Sequence, residues 1–397
     1  MTRRKRIILQ STLVFLLAAT VFVGWQVWTP SEVPWQAATV AGLAASRADG
    51  LVLQQERGDE VWAAEGFSIY RSQAGGAFAK VASVAWEPGE QWMGHLRLVR
   101  QLTGRVSLTD VVPLKGDIVL AFAGGRIYRL DLAAGTSEAV HALRHYGRGV
   151  GRGVMAHGIA LDDAGRVYYG EYFRNAAKGD VRLYRSDDDG RTWPVAHEFP
   201  AGEIRHIHAV QWDPVAKCLW LAAGDSNEEC RIGYSTDQGV NFKWIAKGDQ
   251  KARACGLVFL PGAVMWSTDT GENRLIKWTR EGGKVEEVGE LPSATYHAQT
   301  LDERHGLVGL AERTATAWLC DASGAMRKVM DCGSPAGWES QGDPPRIRLA
   351  RGHVPECRWV YLNPVRTIET PETIFRFEKD AFLKAFPLNE PQRKNDQ

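Results

Sequence analysis

A six-residue strand-like segment recurs seven times, and that recurrence limits what this chain can fold into more than any other feature. It reads FSIYRS around Ile69, GRIYRL around Ile127, VRLYRS around Leu183, CRIGYS around Ile232, RLIKWT around Ile276, TAWLCD around Ala317 and TIFRFE around Ile374. Successive copies lie 58, 56, 49, 44, 41 and 57 residues apart. That spacing holds four short strands with their loops, the unit of a β-propeller blade. Apolar and polar residues alternate imperfectly at period two inside the copies, and no long stripe of period 3.6 follows residue 28. The expectation is an all-β propeller over residues 51–386, with seven blades and six as the alternative count. A closed ring explains how so many short strands avoid exposed edges.

The first 28 residues differ from the rest. Arg3, Arg4, Lys5 and Arg6 precede a largely apolar run, residues 7–28, which contains no acidic residue and is long enough to cross a bilayer. It ends in Trp25-Gln26-Val27-Trp28 rather than in a small-residue cleavage site, which favours an uncleaved signal anchor over a cleaved peptide. The reading is a single transmembrane helix with a cytoplasmic N-terminus and a periplasmic or extracellular body. Residues 29–50 then read as a stem, with residues 51–53 as a candidate return strand for the last blade, and residues 387–397 as a polar tail.

The formal net charge of +1 points away from nucleic acid as a partner. Most of the fifteen tryptophans are expected between blades. Six cysteines in an oxidising compartment allow disulfides, with Cys320 and Cys332 as a candidate bridge within one blade and buried free thiols as the alternative.

One hairpin stands out: Ser186-Asp187-Asp188-Asp189-Gly190-Arg191-Thr192-Trp193, echoed at Ser235, Asp237, Gly239, Asn241 and Phe242, with Ser72-Gln73-Ala74-Gly75-Gly76 as a decayed third copy. An Asp that accepts backbone N–H groups and a Gly at positive φ would close such a turn. The pattern resembles the Asp-box, Ser-x-Asp-x-Gly-x-Thr-Trp, of the sialidase-like (BNR) repeat propellers. The resemblance implies a fold rather than a chemistry, since in that family the motif lies on the outer hairpin. The Phe/Tyr-Arg-Ile-Pro segment of true sialidases is missing, which counts against sialic acid hydrolysis.

In a propeller, the start of each first strand and the end of each second strand meet on one face. Aligned repeats place His157, His208 and His297 at one register of the first strands. Glu171, Asp225, Asp269 and Glu312 end four second strands, with Arg174, Arg205, His206, Arg253, Tyr172 and Tyr296 around them. The Gly/Arg-rich loop 144–153 is read as a connector or a lid. The three imidazoles could hold a divalent ion, zinc or manganese. At the level of fold position this resembles the channel metal sites of oligogalacturonate lyases and NHL-repeat amidating lyases. Alternatively, a His with Tyr172 or Tyr296 removes a proton beside a uronate carboxylate that Arg253 or Arg174 neutralises, or a carboxylate pair drawn from Glu171, Asp225, Asp269 and Glu312 serves hydrolysis. The bland alternative is that each His caps its strand.

The function expected is therefore a membrane-anchored propeller that binds a polysaccharide or oligosaccharide and, as hydrolase or lyase, cleaves it. The alternative is a non-catalytic envelope scaffold. The three-His register separates them, because a scaffold needs no converging imidazoles.

Overall fold

The computed structural model describes residues 29–84, 108–146, 153–335, 344–352, 357–368, 370 and 372–388. They form seven antiparallel sheets, and each of the seven recurring segments is the third strand of one of them. Blade 1 runs through Val52–Arg57, Glu60–Glu65, Ser68–Gln73 and Phe78–Ser83; blade 2 through Leu108–Pro113, Ile118–Ala123, Arg126–Asp131 and Thr136–Ala142. Blade 3 comprises Ile159–Leu161, Val167–Gly170, Val181–Ser186 and Val195–Phe199, and blade 4 comprises Ile207–Asp213, Cys218–Ala223, Arg231–Ser235 and Lys243–Lys247. Blade 5 is Ala254–Phe259, Ala263–Thr268, Asn273–Thr279 and Val285–Leu291; blade 6 is Thr295–Thr300, His305–Leu310, Thr316–Asp321 and Met326–Asp331. Blade 7 takes Arg346–Arg348, Trp359–Val365 and Thr373–Glu378 from the C-terminal part. Its outer strands, Leu43–Asp49 and Gln36–Val40, come from the other end of the chain.

That closure corrects the stem expected over residues 29–50. Those residues are part of the propeller, and Val52–Arg57 opens blade 1 instead of completing blade 7. Glu32–Val33 adds a fifth strand outside Phe78–Ser83, so one N-terminal segment joins blades 1 and 7. Where they meet, the Arg376 guanidinium lies 4.1 Å from the Trp35 ring and 4.4 Å from the Trp359 ring, and donates to Gly75 O at 2.7 Å. A cation between two indole faces ties the segment down. The apolar run 7–28, most of the Gly/Arg-rich loop and the last nine residues lie outside the described residues. No helix among the described residues is long and apolar enough to cross a membrane.

Apolar clusters fill the spaces between blades. Trp220, Trp266 and Phe259 pack between blades 4 and 5, and Phe122, Tyr169 and Trp193 between blades 2 and 3, which is the use the tryptophan count suggested. The six cysteines are free thiols. The candidate Cys320–Cys332 bridge is ruled out by strand register. Cys320 pairs with Met326, whereas the Cys332 amide donates to Ala315 O at the far end of the same strand pair. Five residues of strand place the two about 16 Å apart.

The Ser-Asp hairpins close as their residues require. Asp188 Oδ1 accepts from Thr192 N at 2.9 Å and Oδ2 from Thr192 Oγ1 at 2.7 Å, while Ser186 Oγ accepts from Gly190 N at 2.9 Å. Asp189 and Gly190 hold φ of 55° and 82°, the left-handed region that Gly enters freely. The second turn repeats this, with Asn241 N and Nδ2 donating to Asp237 at 2.9 and 2.8 Å where Thr192 acts in the first.

Candidate functional site

Five of the seven inner strands carry a bulge within their first few residues, at Leu53/Gln55, Leu108/Asp110, Ile207/Ala209, Ala254/Leu257 and Thr295/His297. A bulge re-aims the side chains beside it. Strict period-two alignment therefore does not say which residues meet at the channel mouth.

The three histidines aligned in the sequence do not form one ion position. His157 and His297 face each other, ring centroids 5.2 Å apart, and His157 Nε2 accepts from the Ala298 amide at 3.2 Å. Both are buried. Burial and the nearby Arg351 and Arg348 charges push the His157 pKa down to about 3, and burial likewise drives that of His297 well down. They are neutral channel-filling groups, so the expected His157/His208/His297 metal set is corrected.

His208 belongs to a different group. Among the described residues, two sets of donors have all their ligand atoms within 4.8 Å of one another: His206, His208 and Asp225, and His208, Cys255 and Asp269. In blade 4, His206 precedes the inner strand and His208 sits at its bulge, while Asp225 follows the second strand. His206 Nδ1 donates to Phe173 O at 2.9 Å, which fixes the tautomer and leaves the Nε2 lone pair free. That Nε2 is buried without a hydrogen-bond partner, 3.3 Å from Asp225 Oδ1. His208 Nε2 lies 3.1 Å from the same oxygen, and its Nδ1 lies 3.6 Å from Cys255 Sγ. Burial keeps His208 neutral despite its Asp225 bond.

Asp225 is the hub. Its Oδ2 accepts from Arg205 Nη1 at 2.9 Å, and Arg253 Nη2 reaches 3.3 Å from Oδ1 and 3.2 Å from Asp269 Oδ2. Burial alone would raise the Asp225 carboxyl, but the His206 and His208 contacts hold it far below the usual carboxylate range. Glu229 supports the hub from behind: its Oε2 accepts from the Arg205 and Asp225 amides at 3.0 and 3.2 Å, and Lys178 pairs with Oε1 at 2.5 Å. The Tyr172 ring lies tilted against that of His206, centroids 4.2 Å apart, and burial keeps its hydroxyl protonated.

Tyr296 donates to Glu312 Oε1 at 2.6 Å. Burial, and then the Asp269 and Glu312 charges, raise the Tyr296 hydroxyl well above its usual range. Glu312 holds a φ of 75°, a strained conformation for a side chain of this kind.

Glu171, a candidate acid or nucleophile from the sequence, is occupied. Arg144 donates to its two oxygens at 2.7 and 2.9 Å, the Arg182 amide donates to Oε2 at 2.9 Å, and the carboxylate is 1 % exposed. It ties the start of the Gly/Arg-rich loop to blade 3.

Of the sequence candidates, then, His208, Asp225, Arg253, Tyr172 and Tyr296 converge, while His157, His297 and Glu171 do not join them. His206 and Arg205 move from the periphery to the centre. Cys255 and Glu229 carried no signal that repeat alignment could have read.

The His206/His208/Asp225 donors fit a divalent ion. His206 presents a free, oriented lone pair, and Asp225 is ionised. His208 fits once its Nε2 proton moves to Nδ1, toward Cys255 Sγ. Two nitrogens and one carboxylate oxygen suit zinc or manganese and leave positions open.

No protein-family model and no curated protein sequence matches the chain. Solved structures do match it in fold. An oligogalacturonate lyase in complex with manganese superposes with a TM-score of 0.55 at 10 % identity, over 88 % of this chain and 98 % of that one. The oligogalacturonate lyase of Vibrio parahaemolyticus gives 0.56 at 9 % identity, over 87 % and 96 %. A chain of the mitotic checkpoint complex gives 0.52 at 12 % identity, over 87 % and 95 %. What these likenesses share with the chain is the all-β seven-bladed propeller.

Proposed function

We propose that the channel mouth between blades 3 and 6 binds an acidic glycan and processes it as a lyase or hydrolase, with a divalent ion held by His206, His208 and Asp225. The observation that carries the reading is the buried His206 Nε2, oriented by Phe173 O and aimed at Asp225 without a hydrogen-bond partner. A buried nitrogen with a free lone pair is costly unless something uses it. The manganese of a similar propeller supports the choice of ion.

A bound ion would polarise a uronate carboxylate and acidify the adjacent carbon. The protein's own residues do the rest. Arg205 and Arg253 bring two guanidinium groups to the same carboxylate cluster, where they neutralise and orient a substrate carboxylate. Tyr172 holds its proton and donates to a sugar hydroxyl. Tyr296, whose hydroxyl stays protonated and is oriented by Glu312, donates to the oxygen of a leaving group.

The two Ser-Asp turns support a place among the sialidase-like propellers, and the basic flank with the apolar run 7–28 supports anchoring of the body outside the cytoplasm. The second reading, a glycan-binding scaffold, is favoured by one observation: the three imidazoles that would have marked an enzyme do not converge.

The test is elemental analysis of the full chain purified in detergent, beside assays for unsaturated and hydrolytic products on uronate-containing and neutral oligosaccharides. Near-stoichiometric zinc or manganese, lost in His206→Gln together with activity, supports the proposal. A metal-free chain that binds an oligosaccharide without cleaving it would establish the scaffold.

A further inference from the structure

The end of the channel opposite the candidate site holds more buried positive charge than the described residues balance. Arg348 ends the inner strand of blade 7 and Arg351 lies just beyond it, each less than a tenth exposed. A buried cation has to be paired, because burial removes the water that would solvate it. Arg348 Nη2 and Arg351 Nη2 share one acidic oxygen, Asp110 Oδ1, each at 3.2 Å. Their other acceptors are neutral: Gln54 Oε1 at 3.0 Å and Thr109 O at 3.3 Å for Arg348, and Val111 O at 2.9 Å for Arg351. The Nε–H groups of both arginines are buried without a partner. Glu56 does not supply the missing charge: its oxygens are taken by Gln299 and Cys357, and burial pushes its pKa up to about 7.

Beside Arg351 is a cavity of about 100 Å³, walled in part by apolar side chains such as Ile159 and Phe259, with Gln55, His157, Gln299 and Thr300 as polar lining. It sits among the C-terminal ends of the inner strands, whereas His206, Arg253 and Tyr296 sit at the N-terminal ends. The polar groups of its lining residues are of two kinds. Arg351 Nε and the Gln55 amide, which makes no hydrogen bond among the described residues, offer N–H donors. Gln299 Oε1 is a buried acceptor without a partner.

We infer that this cavity is a second ligand site, built for a small oxyanion that also carries a hydroxyl, such as hydrogen phosphate or a hydroxy acid. The Arg351 fork and Gln55 take the charged oxygens, as guanidinium groups do with carboxylate and phosphate. Gln299 Oε1 takes the hydroxyl proton, which a halide lacks. The anion supplies negative charge beyond that of Asp110, the one acidic partner of these arginines among the described residues.

The probe is inorganic phosphate, compared with chloride at matched ionic strength, on the full chain in detergent. Binding to the native state raises the unfolding temperature with saturation. The expected result is a saturable rise in phosphate that chloride does not reproduce. Arg351→Gln weakens phosphate binding at least tenfold. Gln55→Leu, which removes a donor but no buried charge, weakens it several-fold and serves if Arg351→Gln does not fold. Equal responses to phosphate and chloride would overturn the inference, as would undiminished phosphate binding in Gln55→Leu. So would phosphate binding that Arg253→Gln abolishes and Gln55→Leu leaves intact, since the anion would then sit at the channel mouth. None of these outcomes depends on the metal or the glycan chemistry proposed above.

Discussion

His157 and His297 meet edge to face across the channel, their ring centroids 5.2 Å apart and their planes at 66°, although 140 residues separate them in sequence. Both are almost wholly buried, and the Ala298 amide occupies His157 Nε2. The pair is part of the channel's packing and lies outside the donor sets at the mouth.

Its replacement should therefore cost stability and spare metal. His297→Ala leaves a cavity and should lower unfolding free energy by about 2 kcal/mol or more, with metal content unchanged. Acid provides a second readout. The folded His157 pKa, about 3, lies below the unfolded value of 6.5, so stability from this group is full above pH 6.5 and is lost as pH falls toward 3. His157→Gln should flatten that acid limb by about 2 kcal/mol between pH 6.5 and 5, measured by urea unfolding. Loss of metal in either variant at neutral pH would restore the three-histidine site.

Glu56 works in the opposite direction. Burial raises its folded pKa to about 7, above the unfolded 4.5, even though Cys357 and Gln299 donate to it. The folded state then holds a proton that the unfolded state has released, and stability falls as pH rises from 4.5 through 7. Glu56→Gln should abolish that loss and stabilise the chain by a few kcal/mol, on the order of 3, at pH 8 while changing little at pH 4.5. A variant less stable than the parent at pH 8 would show that Glu56 is ionised and paired.

The repeat was legible because it depends on local chemistry. Third strands keep their alternation and their turns keep Asp and Gly, so seven blades can be counted from sequence. The channel mouth was only half legible, and His157 shows why. It aligns with His208, each five residues before an Asp, yet it lies in a turn ahead of the short inner strand Ile159–Leu161, while His208 sits within its strand at a bulge. Equal register in sequence is not equal position in space when one strand bulges and its counterpart does not. Cys255 reached the site through another bulge, and nothing in its neighbours announces that. The N-terminal strands were hidden for a different reason. Gln36–Val40 and Leu43–Asp49 are short, rich in small residues, and stabilised by strands more than 300 positions away.

The Ser-Asp turns give a local test. Asp188 accepts from both the amide and the hydroxyl of Thr192, and its Oδ1 also receives Ser186 Oγ. Asp188→Ala leaves those donors to water and should cost about 1 to 2 kcal/mol. Asn241 already reproduces the two Thr192 bonds in the second turn, so Asn241→Thr should stay within about 0.5 kcal/mol of the parent. Chemical denaturation of the two variants side by side checks the pairing. Equal losses in both would mean that the turn depends on the identity of the residue and not on its two hydrogen bonds.

Ring closure makes the strongest claim about residues 29–50. Removing residues 34–49 while keeping the segment before them would strip two strands from blade 7 and leave Thr373–Glu378 as a bare edge. It would also delete Ala48, which is buried in the cluster with Ile374 and Tyr361, and Trp35, which covers Arg376. An unpaired strand edge over an exposed apolar cluster promotes association and local opening. The deletion should therefore aggregate, or melt more than about 10 °C lower, with blade 7 the first region cut by protease. Arg376→Ala, which keeps the strands and removes only the cation between Trp35 and Trp359, should produce a smaller loss in the same region. A deletion variant that stays monomeric and melts with the parent would show that the segment is a dispensable stem, and that the inner strands of blade 7 hold the ring closed by themselves.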